Sequence, residues 1–231
     1  MLYVDIEKRL DRFTLKAKFR CDHTTLALFG ASGAGKSMTL KCISGIEKPD
    51  KGVIQLNDRI LFDSEKRIDL PPQKRSVGYL FQEYALFPNM TVSGNITAGM
   101  RKLPKAEREQ KLHELIERFR LSGLENRRPD SLSGGEKQRV ALARIFASSP
   151  EVLLLDEPFS SLDTLLKYQL IPYIRDIIGE FGGETIMVSH DIDEVRQLCA
   201  EVSPITDGVT QEKVDAGICY QQIKKQYEDL K

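Results

Sequence analysis

The chain has 231 residues, which is long enough for one sizeable globular unit. Hydrophobic residues make up 41% of it and charged residues 29%, and 34 basic side chains balance 34 acidic ones. Nucleic-acid-binding proteins usually carry a basic excess, so the balance speaks against nucleic acid as a partner. The sequence has no apolar run of about 18 residues and no basic-then-apolar start, which disfavours a membrane span or a secretory signal.

Predicted strands and helices alternate along most of the chain. Residues 2–29 contain several short apolar runs, and the last of them, residues 26–29, predicts a buried strand. The predicted elements that follow are a helix over 36–44, strands over 53–56, 60–62 and 77–81, a helix over 136–147, a strand over 152–155, a helix over 165–181 and a strand over 185–188. This order predicts a mainly parallel sheet that is covered on both faces.

A helical stretch from Glu83 to about Ser131 interrupts the alternation. Within it, residues 105–121 carry apolar side chains at helical spacing and therefore predict an amphipathic helix. We interpret the chain as one domain, with an α/β core over 1–82 and 140–231 and a helical subdomain over 83–139. Near the end, Pro204 would remove a ladder donor, so we expect its strand to be an edge strand or broken.

The four cysteines, Cys21, Cys42, Cys199 and Cys219, are widely spaced, and no Cys-x-x-Cys pair indicates a zinc site. We expect all four to be reduced thiols.

A glycine-rich loop between the strand at 26–29 and the helix at 36–44 fits the pattern G-x-x-x-x-G-K-[ST]. Glycines let consecutive backbone N–H groups point at phosphate oxygens, and the helix N-terminus adds a partial positive charge. Lys36 would reach the β- and γ-phosphates of a nucleotide, and Ser37 would hold Mg²⁺. The alternative is a turn that merely needs positive φ angles. The predicted nucleotide contacts here are Gly30, Ala31, Ser32, Gly33, Ala34, Gly35, Lys36, Ser37 and Met38.

Two adjacent acids, Asp156 and Glu157, end the apolar run over 152–155. Two carboxylates at the end of a buried strand are costly unless a cation or a reaction uses them. Asp156 is therefore predicted to hold Mg²⁺ together with Ser37, and Glu157 to polarise the attacking water as a general base. The alternative is a strand end that carries ordinary exposed acids.

The run Leu132-Ser133-Gly134-Gly135-Glu136-Lys137-Gln138 opens a predicted helix with a capping serine and free N–H groups, which favours an anion site. Here the chain resembles the nucleotide-binding subunits of ABC transporters, whose signature is L-S-G-G-x-Q or L-S-G-G-x-x-Q. A simple capped helix is the alternative. The resemblance implies a P-loop (RecA-like) core, an N-terminal antiparallel β portion and an inserted α-helical subdomain. It also implies that Ser133, Gly134 and Gly135 contact the γ-phosphate held by a second protomer, so that a head-to-tail homodimer encloses two ATP molecules.

Other motifs match the same family in order. Gln82 resembles the glutamine that senses Mg²⁺ and takes part in catalysis. Asp163 ends the run Ser160-Ser161-Leu162-Asp163, which resembles the loop that crosses between protomers. His190 resembles the catalytic histidine at the γ-phosphate. The resemblance covers roughly residues 1–200.

A closer similarity is to the importer branch, and within it to the ATPase of molybdate importers. Residues 61–79 and 85–92 and the run Leu170-Ile171-Pro172-Tyr173 carry it. This implies an ATPase with ATP and Mg²⁺ as cofactors, peripheral on the cytoplasmic face of the membrane. Its partners would be transmembrane permease subunits and, indirectly, an external substrate-binding protein. The alternatives are an importer of another solute such as sulfate, a soluble ABC ATPase without a transport role, and a module that binds nucleotide without hydrolysis.

The adenine contact departs from the family pattern. ABC ATPases commonly carry an aromatic residue about 20 residues before the phosphate loop, and Leu10 stands in that place. We expect Leu10 to offer only apolar contact, so that the protein discriminates weakly between ATP and GTP. The alternative is that Leu10 belongs to the core and Phe13 stacks on the base.

Overall fold

The computed structural model describes residues 1–100 and 103–229, with side chains described through residue 225. The strands, in chain order, are β1 (Leu2–Arg9), β2 (Thr14–Cys21), β3 (Thr25–Phe29), β4 (Lys51–Leu56), β5 (Arg59–Asp63), β6 (Ile68–Asp69), β7 (Val77–Leu80), β8 (Val152–Asp156), β9 (Glu184–Ser189), β10 (Glu201–Thr206), β11 (Val209–Thr210) and β12 (Val214–Asp215). The helices are α1 (Lys36–Ser44), α2 (Val92–Thr97), α3 (Lys105–Arg118), α4 (Gly134–Ala147), α5 (Thr164–Phe181), α6 (Ile192–Leu198) and α7 (Ala216–Asp229).

The strands form one path in the order β6-β5-β4-β1-β2-β11-β10-β3-β9-β8-β7, with β12 paired to β10. The half that runs from β10 to β7 is parallel throughout. The half that runs from β6 to β2 is antiparallel. The predicted α/β class with an N-terminal antiparallel portion is therefore confirmed, and helices α2 to α4 lie in sequence between β7 and β8.

Helices cover both faces of the parallel half. In β8, Leu153 and Leu155 belong to the core that α4, α5 and α6 share, whereas Val152 and Leu154 face the core that contains α1. Because successive side chains of a strand point to opposite faces, a strand buried on both sides reads as a continuous apolar run. This explains why β8 has no polar alternation before Asp156.

Arg75 fixes the end of α1 from inside the protein. Its side chain is fully buried and donates to the carbonyls of Cys42 (2.8 Å) and Ile43 (2.9 Å) in the last turn of that helix. It also donates to Asp69 Oδ1 (2.9 Å). The last carbonyls of a helix have no partner within the helix. The N–H of Gly45 reaches the carbonyl of Cys42 (3.3 Å), and Arg75 supplies a partner for the carbonyl of Ile43. The helix behind the glycine-rich loop is thereby held at its far end.

Residues 83–91 are not helical, which corrects the prediction that helix begins at Glu83. The chain turns there, with positive φ at Tyr84 (59°) and Ala85 (45°). Buried Asn95 holds the turn, since its Oδ1 accepts from Phe87 N (2.8 Å) and its Nδ2 donates to Phe87 O (3.1 Å). The side-chain amide replaces the hydrogen bonds that a helix would have supplied. The predicted helical stretch also included residues 101–102, which lie outside the described residues.

The strand that carries Pro204 is neither an edge strand nor broken, so this expectation was wrong. β10 pairs with β3 on one side and with the short strands β12 and β11 on the other. The carbonyl of Pro204 faces the second side and accepts from Gln211 N (2.7 Å). Pro204, which has no N–H, lies between the part of β10 that pairs with β12 and the part that pairs with β11. Its missing N–H therefore removes no hydrogen bond between strands.

All four cysteines are free and buried, as expected for reduced thiols. Within the described part of the chain, no helix combines the length and the apolar character that crossing a membrane requires.

Candidate functional site

The glycine-rich loop connects the end of β3 at Phe29 to the start of α1 at Lys36. Gly33 and Gly35 have φ angles of 81° and 98°, in the left-handed region that favours glycine. A Cβ atom on Gly30 would lie 2.4 Å from the carbonyl oxygen of Ile205, so that position is closed to any side chain. The loop thus has the tight backbone path that its composition predicted.

The ammonium group of Lys36 lies inside this loop. It donates to the carbonyl oxygens of Gly30 (2.8 Å) and Ala31 (2.9 Å), and the residue is only 4% exposed. Burial lowers the pKa of Lys36, whereas the nearby carboxylates of Glu157 and Asp156 act in the opposite direction. A buried cation whose hydrogen bonds go to neutral carbonyls favours an anion, which would form charge-assisted hydrogen bonds with it.

Asp156 joins the phosphate loop to the neighbouring strand. Its Oδ1 accepts from Ser37 Oγ (2.7 Å), its Oδ2 accepts from Tyr79 OH (2.8 Å), and the residue is 6% exposed. Burial and the adjacent carboxylate raise the pKa of Tyr79, so this phenol stays a hydrogen-bond donor. A hydroxyl and a carboxylate within hydrogen-bond distance are the oxygen donors that Mg²⁺ prefers. Ser37 and Asp156 therefore fit the predicted magnesium site.

Glu157 is in contact with His190, although 33 residues separate them in the sequence. The distance between Glu157 Oε1 and His190 Nδ1 is 3.3 Å, and their side chains are 18% and 60% exposed. The backbone of Glu157 has a φ of 45°, and its N–H donates to Val188 O (3.0 Å) in β9. The carboxylate that follows β8 thus lies beside the histidine that follows the neighbouring strand β9.

Ser133 caps the N-terminus of α4. A Cβ atom on Gly134 would lie 3.0 Å from the Leu162 side chain, and one on Gly135 would lie 3.2 Å from the Leu166 and Leu170 side chains. The two glycines therefore let α4 begin against α5 and the loop before it. Among the described residues, no hydrogen bond or ion pair connects Ser133 to Lys36, Ser37, Asp156 or Glu157.

The remaining predicted site residues lie at the surface next to the start of α4. Asp163 caps α5, and its carboxylate accepts from Leu166 N (2.9 Å). Gln82 is exposed and lines a depression together with Gly134, Ser160 and Ser161. The structure thus brings Gln82 next to the start of α4 and next to the loop that precedes Asp163.

A cavity with a volume of about 900 Å³ lies beside the loop. Residues 30–34 line it together with Arg12, Phe13 and Gln222 of α7. A Cβ atom on Gly35 would lie 3.5 Å from the Phe13 ring, so this ring packs directly on the loop. Leu10, Phe13 and Met38 are all partly buried and packed against the core that contains α1, but of the three only Phe13 is among the residues that line this cavity.

A charged network beside Glu157 and His190 was not predicted from the sequence. The ammonium of Lys167 in α5 binds the carboxylates of Asp191 and Glu194, the latter at 2.7 Å. Glu194 in turn accepts from Ser189 Oγ (2.6 Å). The side chains come from three segments, so no local motif could have predicted their pairing. The sequence did contain one signal, the acids Asp191, Asp193 and Glu194 directly after His190. Asp191 also caps α6.

The profile of the family described as ABC transporter matches residues 15–160. The chain is 42% identical over 208 residues to the "Molybdenum import ATP-binding protein ModC" of Paramagnetospirillum magneticum, covering 90% of this chain and 57% of that protein. It is 43% identical over 208 residues to the protein of the same name from Rhodospirillum rubrum, covering 90% and 56%. The chain therefore spans about half the length of the curated relatives it matches.

Solved structures of ATP-binding cassettes have the same fold. The dimeric post-hydrolysis state of the cassette MJ0796 bound to ADP and Pi superposes with a TM-score of 0.77 at 24% identity, covering 94% of this chain and 99% of that one. The cassette cbiO1 from Clostridium perfringens is described as part of the ABC transporter complex cbiONQ. It superposes with a TM-score of 0.79 at 25% identity, covering 95% of this chain and 90% of that one. The family profile, the ordered motifs and this fold agree with one another. The chain belongs to the ABC transporter family.

Proposed function

We propose that the chain is the ATP-hydrolysing subunit of an importer for molybdate or a similar oxyanion, acting through a separate membrane permease. The observation that carries the ATPase proposal is the meeting of three chain segments at one edge of the sheet. The Lys36 ammonium and the Ser37 hydroxyl follow β3, Asp156 and Glu157 end β8, and His190 follows β9. In parallel sheets, ligands bind outside the carboxyl ends of the strands.

Residues 30–38 would hold the phosphates of ATP through backbone N–H groups and the Lys36 ammonium. Bound Mg²⁺ would neutralise charge on the β- and γ-phosphates, and Ser37 and Asp156 offer it oxygen ligands. Tyr79 keeps the Asp156 carboxylate in place from the opposite side. Gln82 is the proposed sensor that connects this site to the helical subdomain over 83–139.

Glu157 would accept a proton from the attacking water, since its carboxylate lies at the rim of the site and is partly exposed. His190 is at contact distance from that carboxylate and would donate a hydrogen bond to the γ-phosphate. A positioned base typically contributes about 10²–10⁴-fold to a rate, so Glu157 is expected to dominate the chemical step.

A second copy of the chain is the proposed dimer partner. Ser133 and Gly134 form an anion-binding surface that has no hydrogen bond to the phosphate-loop site of the same protomer. One nucleotide could contact both surfaces if two protomers meet head to tail. Asp163 and the loop before it lie beside Gly134 and would cross the interface.

The transport role, the oxyanion and the membrane partner are inferred from the relatives named for molybdenum import. We propose a permease and an external binding protein as partners and a position on the inner face of the membrane. The test is ATP hydrolysis by the chain reconstituted with its permease in liposomes. Molybdate-loaded binding protein should stimulate hydrolysis more than the sulfate-loaded form. Equal stimulation by both would contradict the choice of molybdate, and no dependence on permease would contradict the transport role.

The adenine contact gives a testable prediction. Phe13 lines the cavity beside the phosphate loop, which favours it over Leu10 as the ring that stacks on the base. Stacking of a base on an aromatic side chain contributes about 1–3 kcal/mol, so Phe13→Ala should weaken ATP binding by about tenfold or more. GTP binding should weaken by a similar factor, because a ring face does not read the base edge.

Equilibrium binding of both nucleotides to Phe13→Ala and Leu10→Tyr checks this. Leu10→Tyr should leave both affinities within about threefold of the wild type, a difference below 1 kcal/mol. If Leu10→Tyr binds nucleotide more tightly and Phe13→Ala binds it as the wild type does, the residue that contacts adenine is Leu10 and not Phe13.

A further inference from the structure

Both donors of Ser133, at the start of α4, are already engaged within the protomer. The backbone N–H of Ser133 donates to Glu136 Oε2 (2.7 Å), and the Ser133 hydroxyl donates to the same oxygen (2.8 Å). The N–H of Glu136 donates back to Ser133 Oγ at 3.3 Å. This reciprocal arrangement is a capping box, which satisfies donors that the first helical turn leaves free.

The Glu136 carboxylate is an anion in a place where a second anion is proposed to bind. Hydrogen bonds from Ser133 hold the pKa of Glu136 below its usual value, and Arg139 and Arg127 act in the same direction. The carboxylate is therefore charged at neutral pH. A phosphate that approaches Ser133 must displace it from both donors and meets its negative charge nearby.

We propose that Glu136 determines how strongly the Ser133 segment binds the γ-phosphate, because its carboxylate occupies those donors until a nucleotide displaces it. This inference rests on the proposed head-to-tail dimer. Glu136 then makes the closed dimer weaker than the donors alone would allow. Replacing its charge should tighten the dimer, a gain that misfolding cannot imitate.

Glutamine is the matched substitution, since it keeps the length of the side chain and can still accept a hydrogen bond at the third helical position. Each dimer contains two Ser133 segments, so the effect counts twice. We expect Glu136→Gln to tighten ATP-dependent dimerisation by about tenfold at low salt, the scale of two weak charge repulsions across a water-exposed surface. The difference should shrink in high salt, because salt screens exposed charges.

The experiment is sedimentation of purified protein in MgATP, with Glu157→Gln as the common background that slows hydrolysis. Three proteins are compared: the background, the background with Glu136→Gln, and the background with Glu117→Gln. Glu117 is 65% exposed in α3 and serves as a charge-matched control. The Glu136→Gln protein should form the tightest dimer, and the control should match the background.

An equal or weaker dimer with Glu136→Gln contradicts this inference. Glu136→Ala provides a second variant, because it removes the charge and the cap together. It should lower the melting temperature yet still tighten the dimer relative to the background. If all of these proteins stay monomeric in MgATP, the proposed dimer fails and this inference fails with it. Association that responds to ATP but not to Glu136 contradicts this inference alone.

Discussion

Lys36→Ala should abolish ATP hydrolysis and weaken ATP binding by about 10–100-fold. The ammonium group lies inside the phosphate loop, and a hydrogen bond to a charged group contributes about 1.5–3 kcal/mol. Alanine also leaves the carbonyls of Gly30 and Ala31 without their donor, which adds repulsion against a phosphate. Nucleotide titration and phosphate release measure the two effects.

Lys41→Ala is the matched control for this change, since Lys41 lies in the last turn of the same helix. It should bind and hydrolyse ATP as the wild type does. Thermal unfolding of both variants checks that the helix remains folded. A Lys36→Ala protein that hydrolyses ATP at the wild-type rate would exclude the loop as the phosphate site.

Glu157→Gln should reduce hydrolysis by about 10²-fold or more while ATP binding survives. Glutamine keeps the size of the side chain but cannot accept a proton from water. His190 loses an anionic neighbour 3.3 Å from its Nδ1. The imidazole itself is unchanged, so it could still contact a phosphate. Because hydrolysis is the proposed route out of the closed state, the dimer should accumulate in MgATP and be visible by size-exclusion chromatography.

Glu180→Gln provides the control, since Glu180 is 62% exposed in α5 and far along that helix from Asp163. It should hydrolyse ATP normally and show no accumulated dimer. Normal hydrolysis by Glu157→Gln would assign the proton transfer to another group. A slow variant that stays monomeric at high protein concentration would instead contradict the dimer.

The sequence predicted those parts of the site whose chemistry depends on adjacent residues. The glycine-rich loop, the two acids at the end of β8 and the capping Ser133 are local patterns, and each folds as its pattern requires. The hydrogen bond between Ser37 and Asp156 was also predictable in kind, because parallel strands bring their carboxyl ends to one edge.

Contacts between distant segments were harder to predict. Tyr79 supports Asp156 from a neighbouring strand, and Lys167 pairs with acids that follow His190. Neither pairing has a sequence signature, because only the strand order and helix placement bring these groups together. The turn at 83–91 was missed for a related reason: it depends on the side chain of Asn95, which competes with helical hydrogen bonding.

Pro204 illustrates how local rules fail when the partner strand is unknown. A proline disfavours the middle of a sheet only when its missing N–H faces a paired neighbour. Here the neighbouring pairing changes from β12 to β11 at that point. Whether Pro204 disrupts the sheet depends on the register of the neighbouring strands, which the sequence alone does not show.

The central claim is that each nucleotide is enclosed by the phosphate loop of one protomer and the Ser133 segment of the other. Mixing two defective proteins, Glu157→Gln and Ser133→Arg, before adding MgATP tests this most directly. Each alone should hydrolyse ATP very slowly, since both sites of either homodimer carry the lesion. In a mixed dimer, one site would carry both lesions and the other neither, so phosphate release should recover in the mixture. A mixture of folded proteins that is no more active than its components would contradict the shared site.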